Sequence, residues 1–452
     1  MHKQQSANDL TIGNPLTKIL LFSLPLVFGT LFQQLYNFVD TIIIGRCLGE
    51  SALAAVGVTY SLNFLILGFV QGCAVGFGVP VSQSFGAKDQ DDVHRYYWNG
   101  LWLSAAISII FTIATILMTV PLLRLIHTPA EILDMAADYI KIIFLGLPLS
   151  MLYNHSASVL RALGDSRHPF YFLLISCVLN IILDYLLVAV IPCGVAGAAA
   201  ATILSQGVSG LLNCWWLFAK TDGFSARKKD LAFSAAHAKR LCVIGLPMGF
   251  EYSVSAIGAV VVQNAINALG SVAIAAQTTG EKIRQMFTLP MESVGMAMAT
   301  YTAQNYGAKK YDRIKSGIKS SLLIQYVYCL VSWLAIFCTK TGLVSLVLGE
   351  SSSPTAVKAL EYLTRISVLF AIHGSLMIFR NTLQGMGYSF QAILSGIGEL
   401  IGRSSGAALA FTSLGFTAIC YANPISWLLA LCYCVIMVFV YLRKCKDLHE
   451  ND

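Results

Sequence analysis

Twelve apolar runs of about 20 residues or more, separated by short breaks, leave this sequence few folds to adopt. They lie near 17–40, 53–80, 95–119, 132–154, 169–191, 195–218, 238–264, 273–299, 315–338, 355–378, 389–411 and 416–442. The breaks carry residues that end helices: Gly45 and Gly49, Gly86, Pro121 and Pro129, Gly164, Pro192 and Gly194, Gly223, Gly270, Gly307, Gly349 and Pro354, Gly385 and Gly387, and Gly415. Runs this long, without strict alternation, exclude a closed barrel and predict an all-α membrane protein with twelve transmembrane helices. Composition agrees: 56% of residues are hydrophobic and 12% charged, about half the charged fraction of an ordinary soluble protein. The polar segment 1–14 has no leader pattern, so the first span is expected to stay in the mature chain.

The net charge of +7 is a topology signal rather than the mark of a nucleic-acid partner. Lys and Arg gather in the termini and the even-numbered loops, where Lys88, Arg167, Lys228, Lys309 and Arg443 are examples; the odd-numbered loops hold Arg46, Arg124, Lys340 and Lys358. The positive-inside rule therefore predicts an inner-membrane protein with both termini cytoplasmic. The 12 cysteines are scattered through apolar runs with no metal-ligand spacing and read as small packing residues. Asp89, Asp91 and Asp92 read as the capped start of the third span rather than a metal cluster. No GxxxxGK[ST] segment is present, so active transport would draw on an ion gradient. No cofactor is expected beyond a coupling ion, H⁺ or Na⁺. The exposed loops are short, and the chain is expected to act as a monomer in contact with membrane lipid.

The chain also repeats itself. Lys18–Pro25 (KILLFSLP) matches Lys239–Pro247 (KRLCVIGLP), Val81–Lys88 (VSQSFGAK) matches Thr302–Lys309 (TAQNYGAK), and Leu160–Gly164 (LRALG) matches Leu383–Gly387 (LQGMG), at offsets of 222, 221 and 223 residues. A repeat of six spans enters the membrane twice in the same orientation, which predicts two six-helix bundles related by a pseudo-two-fold axis along the membrane normal. The expected lobes are 1–219 and 239–452, joined by a basic cytoplasmic linker, 220–238. In such proteins the substrate site lies near the midplane at the repeat interface. Pro25 and Pro247 fall inside matching spans, where proline can kink a helix.

Polar groups inside spans are costly and mark function. In the first span Gln33, Tyr36, Asn37 and Asp40 share one helix face, with Gln34 beside them. Ser176, Asn180 and Asp184 form a second stripe in the fifth span, and Thr202, Gln206, Ser209 and Asn213 a third in the sixth. Two carboxyl groups among amide and hydroxyl oxygens suit either a shared proton or a Na⁺ site, with Asp40, Asn180, Asp184 and Thr202 as hard ligands in the second case. The competing reading is plain interhelical hydrogen bonding. The second half carries different acids. Glu251 could meet a cation or be hydrogen-bonded within the bundle, and Glu281 adjoins Lys282. Glu399 and Arg403 stand four residues apart, so their charges can pair. Met286, Met291, Met296 and Met298 could line a plastic apolar cavity, although packing explains most of them. The candidate substrate-cavity residues are thus Gln33, Gln34, Tyr36, Asn37, Glu251, Met286, Glu399 and Arg403.

The sequence resembles the multidrug and toxic compound extrusion (MATE) family over nearly its whole length. The resemblance rests on Leu24–Gly57 (LPLVFGTLFQQLYNFVDTIIIGRCLGESALAAVG), the VSQSFGAK and TAQNYGAK pair, LRALGDSRHP, LNIILDYLLV (Leu179–Val188), GVAGAAAAT (Gly194–Thr202) and GLPMGF (Gly245–Phe250). It implies two six-helix lobes and export of bulky, often cationic organic compounds in exchange for H⁺ or Na⁺. It also implies an amino-lobe ion site to which Asp40, Asn180, Asp184 and Thr202 correspond, with Asn154 the candidate for an Asn that some members add in the fourth helix. Other members use acids of the seventh and tenth helices; here Glu251 lies off that pattern and the tenth span holds only Glu361. A flippase of lipid-linked amphiphiles would share the architecture, but the first six spans have almost no Lys or Arg away from their ends to meet a pyrophosphate. A membrane-embedded enzyme would need a constellation such as DDxxD or paired His, and none appears.

Overall fold

The computed structural model describes residues 9–221, 224, 230–350 and 352–450. Residues 1–8, linker positions 222–223 and 225–229 (with the expected break at Gly223 and the basic Arg227, Lys228 and Lys229) and residues 451–452 lie outside the described residues. Among the described residues, all regular structure is helical. The helices are α1 Pro15–Leu48, α2 Glu50–Gly86, α3 Gln90–Leu125, α4 Ala130–Leu145, α5 Leu147–Ala162, α6 Arg167–Asp184, α7 Gly194–Lys220, α8 Ala235–Ala268, α9 Ser271–Gly307, α10 Tyr311–Leu348, α11 Pro354–Ser367, α12 Phe370–Gly385, α13 Ser389–Ala410 and α14 Phe416–Glu450. Each expected span falls on one helix or one bent pair. By length and apolarity alone, 7 helices among the described residues could cross a membrane, or up to 9 if each bent pair counts as one span. The remaining positions belong to α8, α9 and α13; the apolar character of α9 is diluted by Glu281, Lys282, Arg284 and Glu292, and that of α13 by Glu399 and Arg403.

Two spans expected to be continuous are broken. The run 132–154 is α4 followed by α5, bent by 45°, and 355–378 begins a pair, α11 and α12, bent by 51°. At the first break Gly146 lies so close to Ile203 of α7 that a Cβ there would stand 2.4 Å from the isoleucine side chain. Pro148 follows at the start of α5 and has no N–H to continue the ladder. A third departure lies in α6, which continues past Asp184 as a π-helical turn, Tyr185–Val190. Such turns widen a helix locally and favour functional sites.

The repeat extends to the backbone of five pairs of interhelical turns. Left-handed residues occur at Gly49 and Gly270, Lys88 and Lys309, His127 and Gly349, Gly164 and Gly387, and Gly194 and Gly415. Each pair matches at the sequence-repeat offset. Lys88 and Lys309 adopt φ of 62° and 56° without the freedom of glycine. A non-glycine residue there costs about 1 kcal/mol, and both turns are closed alike, by Lys88 N–H to Phe85 O and Lys309 N–H to Tyr306 O, each 3.0 Å. The Asp89 carboxylate caps α3 by accepting from Asp92 N at 3.0 Å.

The described chain forms two compact units, and their boundary differs from the expected lobes. One unit contains Phe28–Gly249 and the other Leu10–Val27 with Phe250–Asp452. Thus α1 and α8 each change unit two residues beyond Pro25 and Pro247. The cause is visible within each unit. In the second, Ile19, Phe22 and Leu26 are buried in its core with Ile314, Tyr301 and Leu383. The segment before α1 is also clasped by the TAQNYGAK motif and the residues just after it: Leu10 N–H donates to Gln304 Oε1 (2.9 Å), Lys310 Nζ to Thr11 O (3.0 Å), and Arg313 Nη1 to Gly13 O (3.0 Å). In the first unit Gln83 of the matching motif accepts from Arg240 Nη2 of α8 (2.6 Å), and α3 holds the segment leading into α8: Ser234 N–H donates to Asn99 Oδ1 (2.8 Å), and Trp102 Nε1 to Leu231 O (3.1 Å). Each repeat motif therefore grips the chain that precedes the opposite half.

This clasp predicts a measurable contribution to stability. Asn305 is fully buried; its Nδ2 donates to Tyr301 O (2.8 Å) and Leu10 O (3.3 Å), and its Oδ1 accepts from Arg313 Nε (3.1 Å). Asn305→Ala should cost about 1–3 kcal/mol, read as a lower apparent melting temperature in detergent and faster proteolysis ahead of Pro15. Unchanged melting and proteolysis would show that the clasp contributes nothing to stability.

Candidate functional site

The first unit gathers polar side chains from α1, α4, α5, α6 and α7. Asp184, at the last α-helical position before the π turn, is fully buried, and Asn180, one turn earlier, is 1% exposed. Asp40 of α1 is half-buried, and its carboxyl lies within electrostatic range of that of Asp184. Five buried atoms of this group have no hydrogen-bond donor or acceptor from the protein: Asp40 Oδ1, both oxygens of Asp184, and Nδ2 and Oδ1 of Asn180. Two carboxyl groups can share a hydrogen bond only when one carries a proton, because the ionised form accepts and does not donate. Acid and amide oxygens left without a protein donor are the chemistry that a small cation takes.

The surroundings are ordered by local hydrogen bonds. Tyr36 pairs with Gln33 one turn away and lies within electrostatic range of Asp40, Tyr153 and Cys177. Tyr139 of α4 lies within electrostatic range of Asp40, Tyr36 and Asp184. Sequence reasoning missed Tyr139; a tyrosine in the middle of the fourth run was its only signal. Ser150 donates to Gln206, which ties α5 to α7. Thr202 Oγ1 donates to Ala198 O of its own helix (3.1 Å), leaving its lone pairs for a further donor or cation. Asn154 Nδ2 likewise donates to Ser150 O (2.8 Å). The α1 stripe is not turned uniformly inward: Gln33, Tyr36 and Asp40 are half-buried, whereas Gln34 and Asn37 are exposed.

The second unit holds a larger charged network that the sequence only hinted at. Arg380 of α12 is 6% exposed. Its Nη1 lies 3.3 Å from Glu251 Oε1, its Nη2 donates to Glu399, and its Nε donates to Ser395 Oγ at 3.1 Å. Arg403 Nη2 pairs with Glu399 Oε2 at 3.3 Å, as their spacing implies. Glu251 also accepts from Gln384 Nε2 at 2.7 Å. Glu281 accepts from Arg284 Nε (2.6 Å), Tyr362 OH (2.7 Å) and Asn423 Nδ2 (2.8 Å). Glu251, Glu399 and Arg403, read as candidate cavity residues, are thus tied into ion pairs, while Met286 is 62% exposed. Arg380 escaped notice because it falls just beyond the apolar run at 355–378, although His373, Arg380 and Gln384 share a helix face at i, i+7 and i+11.

Comparison with known proteins agrees with this architecture. The MatE family model matches residues 25–186 and 247–403, one segment in each half of the repeat. Among curated relatives, the probable multidrug resistance protein YpnP of Bacillus subtilis is 31% identical over 309 residues, covering 68% of this chain and 69% of that protein. The multidrug export protein MepA of Staphylococcus haemolyticus is 24% identical over 385 residues, 84% of this chain and 80% of that protein. Among solved structures, a MATE protein in its bent conformation superposes with a TM-score of 0.91 at 22% identity, covering 98% of each chain. A Pyrococcus furiosus transporter of the MOP superfamily superposes with a TM-score of 0.91 at 23% identity. These likenesses show the same twelve-helix membrane fold.

Proposed function

The chain belongs to the MatE family, and from that premise we propose that it exports amphiphilic, cationic organic compounds by exchanging them for protons at Asp40 and Asp184. It is a multi-pass membrane transporter, and its substrates are small molecules, as the names of its relatives imply. The observation that carries the proposal is the Asp40–Asp184 carboxyl pair, with its unpartnered oxygens beside Asn180. A buried acid with no protein partner is expensive, and such a group is retained where a cation loads and leaves. Asn180 supplies both a donor and an acceptor to whichever state is occupied, and the lone pairs of Thr202 and the amide of Asn154 are proposed to complete the site. Tyr139 and Tyr36 are proposed to screen the pair from lipid.

Coupling by alternating access follows if the protonated and the emptied pair favour different conformations, since a ligand shifts an equilibrium only by its differential affinity for the two states. The positive-inside charge distribution supports placement in the cytoplasmic membrane with both termini inside. Two of the candidate cavity residues of α1, Gln34 and Asn37, are exposed, as water-facing substrate contacts would be. The chain is proposed to act as a monomer, with no bound cofactor besides the coupling ion.

The test is ethidium transport by purified protein in proteoliposomes under an imposed ΔpH or an imposed ΔNa⁺. Uptake driven by ΔpH and indifferent to ΔNa⁺ is expected. Transport driven by ΔNa⁺ alone would overturn the proton assignment and leave the same oxygens as Na⁺ ligands. The absence of any gradient-driven transport of organic cations would overturn the substrate class.

A further inference from the structure

In the first unit, we propose that the guanidinium of Arg161 in α5 anchors a carboxylate, so that the compounds this chain takes up include zwitterions whose amine end turns toward the Asp40–Asp184 pair. It rests on the reading of the chain as an exporter of amphiphilic organic compounds, and it adds to that site a residue outside the carboxyl pair.

Arg161 lies in the last turn of α5. Among the described residues it has no hydrogen-bond acceptor and no ion-pair partner, and Tyr153 is the group within its electrostatic range. Every other residue from His155 to Gly164 is buried, whereas Arg161 is half-buried. Its side chain therefore projects from the one part of that stretch that solvent reaches. A cation in the last turn also favours the helix C-terminus, but that alone asks for no proximity to Tyr153, two turns deeper. The repeat shows what is missing. LRALG and LQGMG match Arg161 to Gln384, and Gln384 Nε2 donates to Glu251 Oε2 at 2.7 Å. Pro25 matches Pro247, so the place of Glu251 falls on Gly29. The second half thus supplies both a donor and its carboxylate. The first half raises the donor to a full positive charge and has no side chain where the acid would be. A guanidinium drawn away from water loses hydration that an anion restores, and its planar fork fits a carboxylate through two parallel N–H donors. A carboxylate from outside would complete in the first unit the pairing that the second unit makes within the chain.

The guanidinium belongs to the same polar region as the candidate ion site. Asn154 and Arg161 share one face of α5 at i and i+7. Tyr153 lies within electrostatic range of Arg161, and Tyr36 within range of both Tyr153 and Asp40. From Asn154 to Arg161 the helix rises about 10 Å, a length that an aromatic dye with an amine at one end and a carboxylate at the other can bridge. An acid pair and an unpaired guanidinium in one unit are complementary to a molecule that carries both charges. A lipid phosphate offers the same anionic oxygens. The chain of neighbours from Arg161 through Tyr153 and Tyr36 leads to the Asp40–Asp184 pair, which favours a solute that reaches both.

The experiment measures, by fluorescence, the binding of two dyes to the full chain in phosphatidylcholine nanodiscs at neutral pH. Rhodamine B carries a cation and a free carboxylate; its ethyl ester keeps the cation alone. Arg161→Gln installs the residue of the matching position. It is expected to bind rhodamine B about tenfold more weakly, the effect of losing one charge-assisted hydrogen-bonded contact. It should bind the ester at least as tightly as the unsubstituted chain does. Arg161→Lys keeps the charge without the fork and should lose about threefold, for rhodamine B only. Arg161→Lys carries the test should Arg161→Gln fail to yield monodisperse protein. Rhodamine B binding that is insensitive to both substitutions assigns the guanidinium to lipid phosphate or water and overturns the inference. An equal loss for the two dyes makes Arg161 structural and overturns it too, as does an unsubstituted chain that binds the ester but not rhodamine B. In each of these cases binding of the ester leaves the proposed function standing. Failure of the unsubstituted chain to bind either dye overturns both.

Discussion

Asp184→Asn abolishes gradient-driven dye export, to at least about a hundredfold below the unsubstituted rate, and the protein that results is as stable as the original or more so. Both halves of this expectation follow from the same geometry. The Asp184 carboxyl is fully buried, and its oxygens have no protein donor. Asparagine keeps the size and shape of the side chain but can neither take up nor release a proton. A site that binds the coupling ion equally in every conformation shifts no equilibrium, so the gradient does no work. The amide also removes an unpartnered acid from an apolar setting and gives Asp40 a permanent donor, which favours the folded state. Asp40→Asn should behave alike, with a smaller gain in stability because Asp40 is less buried. Proteoliposome transport and thermal melting of the same preparation check the two halves together. Export at the normal rate by both variants would remove this pair from the coupling step, and a large fall in melting temperature would show that the carboxyls are structural.

The membrane fold was legible because lipid imposes a length and an apolarity on every span. Even α9, with its four charges between Glu281 and Glu292, was found from its apolar run at 273–299. The candidate ion site was legible for a related reason. In an apolar run, Asp40 and Asp184 stand out, and helical spacing puts Gln33, Tyr36, Asn180 and Thr202 on definable faces. What escaped the sequence depends on contacts between distant residues. Gly146 breaks the fourth span because Ile203 needs the room of its missing Cβ, and no local pattern contains that demand. The exchange of α1 and α8 between units depends on Gln304 meeting Leu10 and on Gln83 meeting Arg240. The sequence displayed both motifs as a repeat without saying what they hold. Arg380 was hidden by the opposite error, since charged residues near the end of a run look like loop residues until their partners are seen.

Arg380→Met should be among the most damaging single changes in the second unit, costing about 3–5 kcal/mol, the range for breaking a buried ion pair by removing one partner. Methionine nearly fills the volume of the lost chain, so the penalty is electrostatic. Glu251 and Glu399 would lose their shared guanidinium, which lies 3.3 Å from Glu251 and donates directly to Glu399. Glu251 would keep the Gln384 amide and Glu399 the Arg403 guanidinium at 3.3 Å. Two buried carboxylates would then share one nearby arginine. The expected readout is a sharp fall in melting temperature and in the yield of monodisperse protein. The triple variant Arg380→Met, Glu251→Gln and Glu399→Gln should recover most of the loss, because an unpaired charge, rather than the missing pair, is what costs. Comparable melting for the single and triple variants would show that packing around Arg380, not charge, sets the stability there. The contrast with Asp184 is the physical point. Neutralising an acid that the protein leaves unpartnered should spare the fold and stop the transport cycle, whereas removing the cation that two acids share should undo the fold before transport can be measured.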